Sequence, residues 1–196
     1  GTNYREHYIQ KFKNNEIRAM LTSFANREFV HQRSYALLND TLGLPEEEYS
    51  AFLDYKQMKE KIDFMSNIDA NSVAGLGKAI ARSVLNEGMS LFSAFVMLLN
   101  YQRYGNMKGM CEIVEWSVRD ETMNCEGMVR LFREYCEEHP RVVNDDFKKD
   151  IYQMFRDAVA LEDAVVDTAF EMGSVHGLKA EDVKQYIRYL ADRRLI

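Results

Sequence analysis

At 196 residues the chain is long enough to bury a sizeable apolar core as one domain without help from disulfides. Hydrophobic residues make up 46% of it, and only 2 Pro and 10 Gly interrupt them, which favours long helices over a sheet and predicts an all-α fold. A net charge of -6 and a pI near 5.3 exclude any general attraction to nucleic acid or to an anionic membrane surface.

In chain order, apolar residues recur at helical spacing from Ile17 to Leu42, and Gly43-Leu44-Pro45 then supplies a C-terminal cap and a stop. A second, strongly charged helix is expected over Glu46 to Phe64, with a single apolar stripe against the core. The polar run Ser66 to Ser72 separates it from a third stretch, Val73 to Tyr104, which Gly105-Asn106 ends. Two more long helices follow, Met107 to Glu138 before His139-Pro140 and Asp145 to Met172 before Gly173, and a short one covers Ala180 to Arg194. No repeat or linker divides them, so residues 1–196 read as one helical bundle.

The longest apolar run, Leu91 to Leu99, is about half of the roughly 20 residues a membrane span needs. Cys111, Cys125 and Cys136 are odd in number and lack C-x-x-C spacing, which argues against a disulfide framework or a zinc site and for a reducing cytoplasm. The chain begins Gly-Thr-Asn without a basic and apolar leader, so a trimmed, cleaved or engineered start is expected.

Three stripes carry polar residues where the helical period asks for apolar ones. The first reads Ile17, Leu21, Phe24, Glu28, His31, Tyr35, Leu38, Leu42; the second Leu76, Ile80, Val84, Glu87, Leu91, Ala94, Leu98; the third Met110, Ile113, Ser117, Glu121, Asn124, Met128, Leu131, Tyr135. Desolvating an ionised carboxylate costs several kcal/mol, so three of them at similar depth call for a shared cation. Glu28 and His31, three residues apart, can grip one ion from a single helix face, and oxygen donors with imidazole suit iron or manganese in a dinuclear carboxylate site. Tyr35, one turn beyond His31 on the same face, is a redox candidate. His7, His139 and His176 fall near helix ends, and the eleven Met read as core filler.

The segment Phe24-Ala25-Asn26-Arg27-Glu28-Phe29-Val30-His31-Gln32-Arg33-Ser34-Tyr35 resembles the first ligand helix of ribonucleotide reductase small subunits, which are ferritin-like bundles. Glu87 to Phe95 resembles the next ligand helix, Arg119-Asp120-Glu121-Thr122-Met123-Asn124 the family's R-D-E-x-x-H, and Leu161-Glu162-Asp163-Ala164 and Tyr186 to Leu195 extend the likeness to the C-terminus. The resemblance implies that Glu28, His31, Glu87 and Glu121 bind a dinuclear iron or manganese centre (Fe/Fe, Mn/Mn or Mn/Fe), with Asn124 at the remaining ligand position. It implies that Tyr35 holds a stable radical and that Asp120 orients a ligand histidine and relays an electron. It further implies a homodimer docked on a large catalytic subunit, where the ribonucleotide is reduced.

Two departures qualify those expectations. Asn124 stands where the family has a second histidine, and an amide oxygen is a weak neutral donor, so one metal position should be weakened. A further ligand carboxylate is expected ahead of Gly1, with Glu6 at the wrong spacing to replace it, and the docking tail with its relay tyrosine beyond Ile196. The competing reading is a metal-poor or inactive homologue, a scaffold or a chain completed by another polypeptide. A ferritin-like oxidase or iron-storage protein would explain the carboxylates but not Ser34-Tyr35 or the Arg-Asp-Glu context.

Overall fold

The computed structural model describes residues 1–195; Ile196, the last residue of the expected domain, lies outside them. As composition predicts, the described residues form helices and connecting turns: α1 Asn15–Leu42, α2 Glu48–Ala51, α3 Lys56–Ser66, α4 Val73–Leu85, α5 Phe92–Leu99, α6 Lys108–Glu138, α7 Asp145–Met172 and α8 Ala180–Arg194. Side-chain caps set several starts. Asn14 accepts the Glu16 and Ile17 N–H groups at α1, Ser72 that of Gly75 at α4, and Asn144 that of Phe147 at α7. Gly43 ends α1 in the left-handed conformation, φ 70°, as its place before Leu44-Pro45 implies.

Helix α6 is the central element, packed on α1, α4 and α5, while α7 packs on α3, α4 and α8. Helices α1 and α6 run antiparallel in close contact. A Cβ on Gly127 would come within 2.6 Å of the Phe24 ring, so a side chain there would force the helices apart. Two apolar clusters flank the middle of α6: Val114 joins Leu85, Met89, Phe92 and Phe155 on one side, and Cys125 and Met128 join Tyr4, Leu21, Phe24 and Ile80 on the other.

Three expectations are corrected. The span Glu46 to Phe64 is not one helix: α2 is a single turn, a 3-10 turn covers Phe52–Asp54, and extended Tyr55 opens α3. Among the described residues, α2, too short to hold itself, packs mainly on the 3-10 turn that follows it, whereas α3 lies along α7. The span Val73 to Tyr104 is interrupted by a π-helical segment at Asn86–Ser90 and ends in a 3-10 turn, Asn100–Tyr104. The wide turn advances the helix phase, so Phe92, Ser93 and Phe95 are buried in place of the expected Leu91, Ala94 and Leu98. Ahead of α1, where no element is expected, Asn3–Tyr8 forms a π-helical turn that buries Tyr4 and Tyr8 completely.

A buried ion pair fastens the π segment. Lys61 on α3 donates to the Ser90 carbonyl and pairs with Glu162 on α7 at 2.6 Å, while Ser93 donates to the other Glu162 oxygen at 2.8 Å. Both partners are nearly inaccessible, so removing one strands the other's charge in the core. Lys61→Met is therefore expected to lose about 3–5 kcal/mol of unfolding free energy. Lys61→Met combined with Glu162→Gln should recover most of it, as read by urea denaturation followed by circular dichroism. A double variant no more stable than Lys61→Met would overturn the assignment of that loss to the stranded charge.

Candidate metal centre

The antiparallel register of α1 and α6 sets each expected residue opposite a partner: Phe24 meets Gly127, Glu28 meets Asn124, His31 meets Asp120 and Glu121, and Tyr35 meets Ser117. Glu87 enters from the π segment, where the wide turn carries its carboxylate to the same point. One ligand atom each from Glu28, His31 and Glu121 lie within 4.8 Å of one another, a spacing that could hold a cation. His31 Nδ1 lies 3.2 Å from Glu121 Oε1 and 3.9 Å from Glu28 Oε1, and its Nε2 faces Asp120 Oδ2 at 3.3 Å. With Nε2–H donating to Asp120, the Nδ1 lone pair is aimed at the carboxylates, the arrangement a metal-binding imidazole needs.

Asn124 is fully buried among the acids. Its Nδ2 donates to Glu87 Oε2 at 3.2 Å, Glu28 Oε1 at 3.4 Å and Glu121 Oε2 at 3.5 Å, while its Oδ1 is buried without a hydrogen-bond partner. Orphaned buried acceptors are rare, and the amide that carries this one presents its Nδ2, not its Oδ1, to the three carboxylates. With the amide turned over, a cation among the carboxylates would satisfy them and Oδ1 together, so the donors present fit a divalent metal with oxygen and imidazole ligands.

Electrostatics follow from that crowding. Burial pushes Glu121 up to about 7, with the Glu28 charge adding to it and a hydrogen bond with Glu87 pulling the other way. Burial and the contact with Glu121 hold Glu87 well above the ordinary carboxylate range, and burial and Glu87 raise Glu28. Asp120 is the opposite case: burial would raise it, but hydrogen bonds from Arg27, at 2.6 Å, and His31 bring it below its usual value. It is thus an anion tied to His31 on one oxygen and to the half-exposed Arg27 on the other.

Tyr35 is half-buried, and its hydroxyl donates to Ser117 Oγ at 3.1 Å; Ser117 in turn donates to the Ile113 carbonyl at 2.9 Å. Burial raises the Tyr35 pKa. Sequence reasoning missed one residue in contact with the centre: Tyr4, 1% exposed, donates its phenol to Glu87 Oε1 at 2.6 Å. Tyr4 and Tyr8, spaced i and i+4, carried a helical signal that short length hid. His139 and His176 lie near helix ends as expected, each against a tyrosine ring.

Carboxyls whose folded pKa exceeds the unfolded one bind more protons when folded, so they stabilise the fold at low pH and that stabilisation disappears as pH rises through the folded pKa. The metal-free chain should therefore be less stable at about pH 8 than at about pH 5, with Glu121 contributing on the order of 3 kcal/mol. Glu121→Gln should flatten that slope in chemical denaturation, and an unchanged slope would remove Glu121 as its source.

Comparison with known proteins agrees with this architecture. The family model for the ribonucleotide reductase small chain matches residues 1–196. A protein of Invertebrate iridescent virus 3 named for the ribonucleoside-diphosphate reductase small subunit is 38% identical over 96% of this chain and 55% of its own length. The ribonucleoside-diphosphate reductase subunit beta of Chlamydia pneumoniae is 29% identical over 100% of this chain and 60% of its own. The chain thus spans little more than half the length of these relatives. Among solved structures, one from Bacillus halodurans titled as a class I ribonucleotide reductase superposes with a TM-score of 0.90 at 21% identity, covering 98% of this chain and 71% of that one. A ribonucleotide reductase subunit from Clostridium botulinum gives 0.83 at 23% identity, over 91% of this chain and 59% of that one. At such identities these two establish the fold, a ferritin-like helical bundle. The chain belongs to the ribonucleotide reductase small-chain family.

Proposed function

We propose that this chain is the core of a ribonucleoside-diphosphate reductase small subunit, which generates and stores a tyrosyl radical at a dinuclear iron or manganese site for deoxyribonucleotide synthesis. The observation that carries the reading is the register of α1 against α6, which sets Glu28 and His31 opposite Glu121 and Asn124, with Glu87 closing the cluster. Glu28, His31 and Glu121 would hold one ion. Glu87 would hold the second with Asn124, whose Oδ1 can be turned inward by a half-turn of the amide. A reduced pair held by these residues would supply the electrons that activate dioxygen and so the oxidant for a tyrosine.

The protein's own part is positional. Asp120 fixes the His31 tautomer and, through Arg27, links the ligand to the surface as an electron relay would require. Tyr35 would hold the radical on the ligand face, its hydroxyl fixed by Ser117. The partners in this reading are a second copy of the chain and a large catalytic subunit that binds the nucleotide, in the cytoplasm. Phe29, Val30 and Leu37 on α1 and Trp116 and Met123 on α6 are exposed apolar side chains that a homodimer would cover. Among the described residues no helix is long and apolar enough to cross a membrane.

Asn124 also favours a second reading, a metal-poor homologue, because its amide already offers hydrogen bonds to all three carboxylates. Elemental analysis after anaerobic loading with Fe(II) or Mn(II) and desalting separates the two. About two ions per chain supports the dinuclear reading, and a value near zero supports the scaffold. His31→Ala is expected to lower retention below one ion per chain, since it removes the imidazole that the cluster is built around. Asn124→His should raise retention of the second ion by restoring a stronger donor, and no gain would show that Asn124 is not at a ligand position.

A further inference from the structure

A tyrosine gives up an electron readily only when its phenolic proton has somewhere to go, so the hydrogen-bond partner of each buried phenol decides which one the centre can oxidise. Tyr4 and Tyr35 differ on this point. Tyr35 donates to Ser117, a hydroxyl already committed to the Ile113 carbonyl and a far weaker base than a carboxylate. Tyr4 donates directly to a carboxylate oxygen, Glu87 Oε1, at 2.6 Å.

Glu87 has two distinct faces. Its Oε2 lies in the cluster beside Asn124 Nδ2, while its Oε1 is turned out toward the Tyr4 phenol. A cation held through Oε2 leaves Oε1 available as proton acceptor. Tyr4 is also the better shielded of the pair. It is 1% exposed, and its ring is packed edge-on to Tyr8 and Phe24 with centroids 6.0 and 5.7 Å away, whereas Tyr35 is half-buried. Such packing keeps small reductants and water from a phenoxyl radical.

We infer that Tyr4 is a second oxidisable tyrosine of this centre, with Glu87 as its proton acceptor. The inference rests on the dinuclear reading above and deepens it. In the oxidation step the Tyr4 ring would give up one electron to a centre that dioxygen has oxidised, the Tyr4 O–H bond would break, and the proton would form a new O–H bond at Glu87 Oε1, to which the phenol already donates. A neutral phenoxyl radical remains at Tyr4. The direct hydrogen bond to the Glu87 side chain gives Tyr4 a short path to the centre.

The test loads the unsubstituted chain, Tyr35→Phe and Tyr4→Phe/Tyr35→Phe anaerobically with Fe(II) or Mn(II). Bound metal is counted, the samples are exposed to oxygen, and electron paramagnetic resonance is recorded on protein made with ring-deuterated tyrosine to assign tyrosyl signals. Tyr35→Phe should keep a tyrosyl signal that the double variant loses at equal metal content. Metal bound by Tyr35→Phe without any tyrosyl signal overturns the inference and leaves the dinuclear reading standing, as does a signal that survives in the double variant. An unsubstituted chain that binds no metal overturns both. Should Tyr35→Phe fail to load, fluorotyrosine at position 4 of the otherwise unsubstituted chain replaces it: ring-fluorine splitting of the signal supports Tyr4, and its absence sinks the inference.

Discussion

The contact between α1 and α6 brings acids together that would repel one another in isolation, and the rest of the bundle is arranged around that fact. Close approach at Phe24 and Gly127 fixes the register, and one helical turn further along, Glu28 faces Asn124 and His31 faces Glu121. Packing Phe24, Leu21 and Met128 against Tyr4 and Ile80 supplies the apolar burial that holds this register against the electrostatic cost. The raised pKa values of Glu28, Glu87 and Glu121 are the measure of that cost, since each carboxyl favours its protonated form when no cation is near. A fold that keeps its acids in such a state is storing affinity for positive charge.

The π segment is the second half of the same construction. An ordinary α-helix from Val73 onward would put Leu91 and Leu98 in the core; the wide turn at Asn86–Ser90 instead buries Phe92 and Phe95. Gly88 lies so close to Cys125 Sγ that a Cβ would sit 2.6 Å from it, which shows how tightly this segment is pressed onto α6. A widened turn loosens the regular carbonyl pattern, and Lys61 compensates by donating to the Ser90 carbonyl while Glu162, which accepts from Ser93, balances its charge. The Glu87 carboxylate is thus presented by an irregular piece of helix that three other elements hold in place.

Much of this was legible in the sequence because the helical period is a local property. The stripe on α6, from Met110 through Ser117, Glu121 and Asn124 to Leu131 and Tyr135, predicts burial at nearly every position, and the α1 stripe places Glu28, His31 and Tyr35 on the face turned to α6. Periodicity failed where geometry departs from 3.6 residues per turn: it carried the Val73 stripe past Glu87 in the wrong phase, because an extra residue in a turn leaves no compositional mark. It also missed Lys61 and Tyr4. A lysine in a charged helix reads as solvated, and only the partner Glu162, a hundred residues away, reveals it as a core residue; Tyr4 lies in a segment too short to show a period.

Asn124 shows how one side chain can shift the balance between the metal-free and metal-bound states. A neutral imidazole has one N–H to offer, whereas the amide has two, and here they reach Glu28, Glu87 and Glu121. The amide therefore stabilises the bare carboxylates better than a neutral imidazole would, and as an oxygen donor it would stabilise a bound ion less well. Both effects act in the same direction, because the affinity for metal is set by the difference in free energy between the two states. The residues that oppose this shift are those the bundle holds regardless of occupancy: His31, fixed by Asp120 and Arg27, and Glu87, fixed by the clamped π segment and the Tyr4 phenol. In the proposed metal site, pre-organisation of these two side chains would lower the ordering cost of binding and so offset the weaker donor at Asn124.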